Sequence, residues 1–230
     1  MNDSLKRMKP KRIILIRHGE SEGNVDPHIY GSTPDYALNL TANGHQQAIE
    51  CGKNLKTIIK NESAMFYVSP FWRTRETFEN IVSQLHLPKV NYREEPRIRE
   101  QEWGHLRNKA ECDQVNKDRD AYGTFYFRIP DGESCADVYD RVTTFLETLH
   151  RDFNKSEYPE NTVLITHGMT IRLFLMRWFQ WTVEEFEQLS NPANCAVVSL
   201  ALQQNGKYLL ETEMKKHTVY HKYQREIKFF

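Results

Sequence analysis

The run Arg12-Ile13-Ile14-Leu15-Ile16-Arg17-His18-Gly19 returns in outline much later in the chain as Thr162-Val163-Leu164-Ile165-Thr166-His167-Gly168. Each is a short apolar stretch, rich in β-branched residues, that stops at a His-Gly pair. A continuous apolar run of that length, bounded by charge on one side and glycine on the other, reads as a strand buried on both faces. In open α/β sheets, ligands bind in the crevice beyond the carboxyl ends of the strands. If the two strands are parallel neighbours, their imidazoles meet at one edge of the sheet. The glycines let the backbone turn sharply and approach closely there.

Working outward, the pattern alternates. Thr41 caps a helix predicted from 42 to about 60, with Ala48, Ile49, Leu55, Ile58 and Ile59 as its apolar or small face. Met65 to Val68 is a second buried strand ended by Ser69-Pro70. A helix from about 72 to 85 follows, carrying Phe78, Ile81, Val82 and Leu85 at helical spacing and Arg73 in its first turn. Residues 90–93 suggest a third strand. Residues 131–134 turn into a helix reaching about 153, further helices begin near Thr170 and Thr182, and residues 196–202 with 208–210 suggest a terminal hairpin. Strands alternating with helices predict one α/β domain over residues 1–230, a three-layer α/β/α sandwich on a mostly parallel sheet. Residues 101–130 lose periodicity and read as an excursion of short helices and loops, a lid or substrate-selecting segment beside the core.

Composition narrows the function. The chain has 31 basic and 31 acidic residues, so no global charge draws it to nucleic acid or a membrane surface. Any attraction for an anion must be local. Cys51, Cys112, Cys135 and Cys195 lie far apart, without the close spacing of a zinc or redox motif, and read as free thiols in a reducing compartment. Met1 to Arg12 is basic without the apolar run of a signal peptide, and no stretch approaches the ~20 apolar residues of a membrane span. The expectation is a soluble, cytoplasmic protein without a cofactor, whose oligomeric state, monomer or homo-oligomer, the sequence leaves open.

Two histidines and two arginines at one sheet edge make a poor metal site, because guanidinium groups repel a cation. They make a good site for a phosphoryl dianion. Arg17, beside His18, favours the neutral, nucleophilic imidazole. With Arg17-His18-Gly19-Glu20-Ser21-Glu22-Gly23-Asn24, Ser69-Pro70 with Arg73, Arg99-Glu100-Gln101-Glu102-Trp103-Gly104, Gly132-Glu133-Ser134 and Thr166-His167-Gly168 in this order, the chain resembles the histidine phosphatase superfamily, the branch that includes cofactor-dependent phosphoglycerate mutases. Residues 120–140 resemble its broad-range acid phosphatases.

The resemblance implies that His18 is transiently phosphorylated while Arg17 and Arg73 clamp the phosphoryl oxygens. Asn24 donates a side-chain N–H to the same group, and His167 stabilises the transition state. Glu100 is the implied proton donor, with Glu102 its main rival. Glu20 and Glu22 would repel substrate and are expected to face outward or pair with arginines; Ser21 is an open choice. The compared mutases carry a Gly-Trp pair after the signature and a Trp-x-x-Pro-Pro-Pro stretch. Here Tyr30-Gly31-Ser32-Thr33-Pro34-Asp35 and Phe125-Tyr126-Phe127-Arg128-Ile129-Pro130 stand instead, which favours a phosphatase over a mutase. A binder that merely kept the fold would tolerate loss of the nucleophile or acid, whereas His18, both arginines and His167 are all retained. The aromatic run Tyr122 to Arg128 reads as packing, Trp178 and Trp181 as helix-end packing, and the basic tail 215–230 as a solvated closing segment.

Overall fold

The computed structural model describes residues 9–85, 87, 89–105 and 109–217. Six strands form a single sheet: β1 (Arg12–Arg17), β2 (Ala64–Val68), β3 (Asn91–Glu94), β4 (Asn161–Thr166), β5 (Val197–Leu202) and β6 (Tyr208–Leu210), in the order β3-β2-β4-β1-β5-β6. The first four are mutually parallel, whereas β5 runs antiparallel to both β1 and β6. The predicted mostly parallel sheet and the closing hairpin are therefore both present.

Period-two alternation distributes the strands' side chains to two faces. Ile13, Leu15, Met65, Tyr67 and Leu164 meet Val138, Val142 and Phe145 of α5 (Cys135–Phe153) and Ile171 and Phe174 of α6 (Gly168–Phe179). Ile14, Ile16, Phe66, Val68, Val163 and Ile165 meet Cys51, Leu55 and Ile59 of α2 (Ala42–Ile59) and Ile81 of α3 (Trp72–Gln84). The result is the three-layer α/β/α arrangement, and each fully buried aliphatic side chain contributes roughly 1.5–3 kcal/mol to it.

The helix starts follow local capping chemistry. Thr41 Oγ1 accepts from Gly44 N at 3.0 Å, and Ser134 and Asp137 form a reciprocal capping box at the head of α5. α6 begins at Gly168 with His167 as its N-cap, two residues earlier than the sequence suggested.

The excursion differs from its expectation. Among its described residues it holds, in place of short helices, one helix of 14 residues, α4 (Lys109–Tyr122), which buries only Val115 and Arg119. The aromatic run after it is divided: Phe125 is buried against Tyr139 and Phe186, but Tyr122 and Tyr126 are exposed. Trp178 stacks on Phe174 and Trp181 on Phe179, as helix-end packing. All four cysteines are free thiols. No helix among the described residues is long and apolar enough to cross a membrane. Of the basic tail, residues 218–230 lie outside the described residues, as do 1–8 of the leader.

Candidate active site

β1 and β4 are parallel neighbours in a register that sets Arg17 opposite Thr166, so the next residue of each, His18 and His167, emerges at the same sheet edge. Their ring centroids are 5.2 Å apart with planes at 61°, and both are almost completely buried. Gly19 follows because its neighbourhood has no room for a side chain: a Cβ there would lie 2.5 Å from the carbonyl oxygen of Gly44. Thr77 of α3 completes the fixation, its hydroxyl accepting from Gly19 N at 3.0 Å while donating to the carbonyl of Arg73.

His18 Nδ1 lies 2.7 Å from the carbonyl oxygen of its own neighbour Gly19. A carbonyl only accepts, so Nδ1 carries the proton and Nε2 presents the lone pair. Burial holds the pKa of His18 well below the ordinary histidine value, and the positive charges of Arg73 and Arg17 push it the same way. Burial, more than the neighbouring arginine, is thus the leading reason that the ring is neutral. His167 is likewise held neutral by burial, then by Arg73. Its Nε2 sits 2.8 Å from Ser69 Oγ, and its Nδ1 is buried without a partner.

Arg17 Nη1 donates to the carbonyl of Pro192 at 2.7 Å, leaving its buried Nε unpartnered. Arg73 arrives from the first turn of α3 with its side chain 3% exposed and the guanidinium over the Phe71 ring at 4.9 Å. It is ion-paired with Asp35, a contact with no sequence signal. Tyr30, from the same loop, lays its phenol on Gly23, where a Cβ would stand 2.4 Å from the hydroxyl. Burial first, then the charge of Asp35, pushes its pKa up to about 12; Arg73, Glu100 and Arg17 also act on it.

Glu100 is half-buried at the head of α6, with one carboxylate oxygen 3.1 Å from its Gln101 N–H and 3.4 Å from the Thr170 hydroxyl. The other lies 3.4 Å from Met169 N. Its backbone is gripped by Arg141 of α5, which donates to the carbonyls of Arg97, Arg99 and Glu100 at 2.7, 2.8 and 3.0 Å. Glu133 fixes that guanidinium in turn, so the Gly-Glu-Ser motif braces the backbone that carries Glu100. Glu102, the rival acid, is exposed and takes part through its backbone, which pairs with Glu133.

Asn24 is exposed, and its Oδ1 accepts from Ser21 N and Asn194 Nδ2, which leaves its Nδ2 as the donor end for a ligand. Glu20 and Glu22 accept from the Thr41 hydroxyl and Asn39 N, so they brace the neighbouring loop and take no arginine partner there. Ser21 is buried with its hydroxyl unpartnered. The structure therefore brings His18, His167, Arg17, Arg73 and Glu100 within electrostatic reach of one another beyond the ends of β1 and β4, and Asn194 links Asn24 to the carbonyl of His18. Ser69, Thr77, Arg141 and Asp35 were missed as members. Only Ser69, inside a quoted motif, carried a sequence signal.

A neutral imidazole with an aimed lone pair, set between guanidinium groups beyond the ends of parallel strands, defines a phosphoryl-handling enzyme of the histidine phosphatase class. The chain belongs to the histidine phosphatase superfamily (branch 1), whose family model matches residues 13–214. It is 42% identical over 219 residues to the phosphoglycerate mutase-like protein AT74H of Arabidopsis thaliana, covering 88% of this chain and 78% of that one. It is 32% identical over 309 aligned positions to the broad-range acid phosphatase DET1 of Saccharomyces cerevisiae, covering 94% and 92%. Among solved structures, a mycobacterial glucosyl-3-phosphoglycerate phosphatase shares the fold, with a TM-score of 0.67 at 20% identity over 90% of this chain and 100% of that one.

Proposed function

We propose that this histidine phosphatase hydrolyses small phosphomonoesters through a phosphohistidine on His18 Nε2. The observation that carries the reading is the 2.7 Å contact of His18 Nδ1 with the Gly19 carbonyl, which assigns the proton to Nδ1 and leaves the Nε2 lone pair free on a ring that the charges of Arg73 and Arg17 reach.

Nε2 attacks phosphorus as the P–O bond to the alcohol breaks, and protonated Glu100 gives its proton to the departing oxygen. Arg17, Arg73 and His167, whose buried Nδ1 lacks a partner, donate to the phosphoryl oxygens as charge develops on them. We take Ser69 as the donor to His167 Nε2, which puts that ring's proton on Nδ1, the nitrogen without a protein partner. Water then attacks phosphorus, ionised Glu100 accepts its proton, the P–N bond breaks, and His18 is restored with inorganic phosphate released. The acid phosphatase relative and the absent mutase hallmarks support hydrolysis over isomerisation, and the four free thiols support a reducing, cytoplasmic location.

The test is a chase. Enzyme mixed with an aryl phosphate and quenched without acid should carry one phosphoryl group on His18 by peptide mass spectrometry, and His18→Ala should release no phosphate. Activity surviving that substitution would sink the mechanism. Supplied with 3-phosphoglycerate and its bisphosphate primer, the protein should release phosphate faster than it isomerises; the reverse would make it a mutase.

A further inference from the structure

Arg73 already holds an anion. Its Nη1 donates at 2.7 Å to both the Oδ1 and the backbone carbonyl of Asp35, and its Nη2 reaches Oδ2 at 3.3 Å. A carboxylate spread over both terminal nitrogens of a guanidinium occupies the positions in which two phosphoryl oxygens would bind. We propose that Asp35 is an internal ligand of the phosphoryl clamp, seated on Arg73 in the free enzyme and displaced by the phosphoryl dianion, so that it sets which anions the pocket accepts. The proposal rests on the reading that Arg73 binds the substrate's phosphoryl group.

The two partners differ in their freedom to move. Arg73 grows from α3, lies over Phe71 and is almost fully covered, so it cannot follow a departing partner. Asp35 sits in the short 3-10 turn Asp35–Ala37, and neither this turn nor the preceding one, Pro27–Gly31, buries a residue. Tyr36 beside it is exposed, and the Asp35 side chain already has 16% of its surface in water. The carboxylate can retract to solvent with little loss of packing.

Tethering makes Asp35 a strong competitor against ligands of its own kind. A free carboxylate would exchange one carboxylate–guanidinium pair for another and gain nothing. A phosphoryl dianion brings a second charge and further acceptors for Arg17 and His167, and so displaces Asp35 at a cost in apparent affinity set by the latched fraction. The loop at 27–37, beside the excursion at 101–130, then takes part in selecting substrate.

Inhibition constants for inorganic phosphate and for acetate, measured on the wild type and on Asp35→Asn, test this. Phosphate should bind the variant roughly ten-fold more tightly, and acetate, ineffective on the wild type, should become an inhibitor. Unchanged or weaker phosphate binding by the variant would overturn the proposal. A measurement on the unaltered protein covers a misfolded variant. The amides of Ala37 and Leu38, which donate to Pro34 and Asp35 carbonyls, should exchange faster with deuterium at saturating phosphate. Slower or unchanged exchange also overturns it. If phosphate binds neither protein, the reading of the site as a phosphoryl pocket fails, and the latch with it.

Discussion

Ser69 and His167 are joined at 2.8 Å across the β2–β4 pair, a buried hydroxyl against the Nε2 of a fully buried ring. This bond leaves Nδ1 as the nitrogen available to a ligand. It also explains why the serine at the end of β2 belongs to the site although it reaches no substrate in the proposed chemistry.

Ser69→Ala should leave His167 free to change tautomer and orientation, and should strand a buried nitrogen. We expect kcat to fall about 10–100-fold, as for roughly 1–3 kcal/mol of lost positioning, with KM much less affected. Steady-state kinetics alongside circular dichroism would check this. An equal rise in KM with kcat intact would mean that Ser69 acts on binding alone.

The pH behaviour of the site follows from the depressed pKa values of His18 and His167. The neutral His18 ring is the reactive one, so protonation should reduce kcat/KM only well below the ordinary histidine pKa of about 6.5. Stability has the matching sign. Below about pH 6.5 the unfolded chain binds protons that the folded rings of His18 and His167 refuse, so these two lower stability with acid by up to about 2.7 kcal/mol per pH unit, and His150, depressed by burial, acts in the same direction. Urea midpoints at pH 7.5 and 5.5 would show the loss, and His18→Asn should lessen it.

Glu100→Gln should slow turnover of an alkyl phosphate by about 10²–10⁴-fold. With an aryl phosphate, whose leaving group needs no acid, the first step should survive and phosphohistidine should accumulate as a burst. Glu102→Gln should match the wild type in both assays, because that carboxylate is exposed and its backbone makes the structural contacts. A larger effect at Glu102 would reverse the assignment.

Gly44→Ala would drive a Cβ to 2.0 Å from the Glu20 carbonyl oxygen, where α2 packs on the loop after His18. Both sides are backbone, so no rotamer relieves the clash. A loss above the typical ~1 kcal/mol of a point substitution is expected in urea unfolding, together with lost activity. Gly206→Ala, with open space around it but φ at +77°, should cost stability alone.

What the sequence could tell depended on range. The His-Gly strand ends, the Thr41 cap and the helix starts near Ser134 and Thr182 were legible because each depends on residues within a few positions of one another. Asp35 on Arg73, 38 residues apart, joins an aperiodic loop to a helix, and no local pattern marks it. The grip of Arg141 on the Glu100 backbone was hidden for the same reason. α4 escaped detection because a helix burying only Val115 and Arg119 leaves almost no apolar stripe.

The position of β4 between β1 and β2 also bears on how the protein is made. The apolar strands Arg12–Arg17 and Ala64–Val68 leave the ribosome early, but each pairs with β4, whose residues 161–166 come far later. Until then β1 has no partner and β2 has only β3, so each leaves an open edge on which another nascent chain can assemble. Synthesis in crowded cells should therefore demand chaperone cover until β4 has emerged, and chains truncated before Asn161 should aggregate instead of accumulating as folded intermediates.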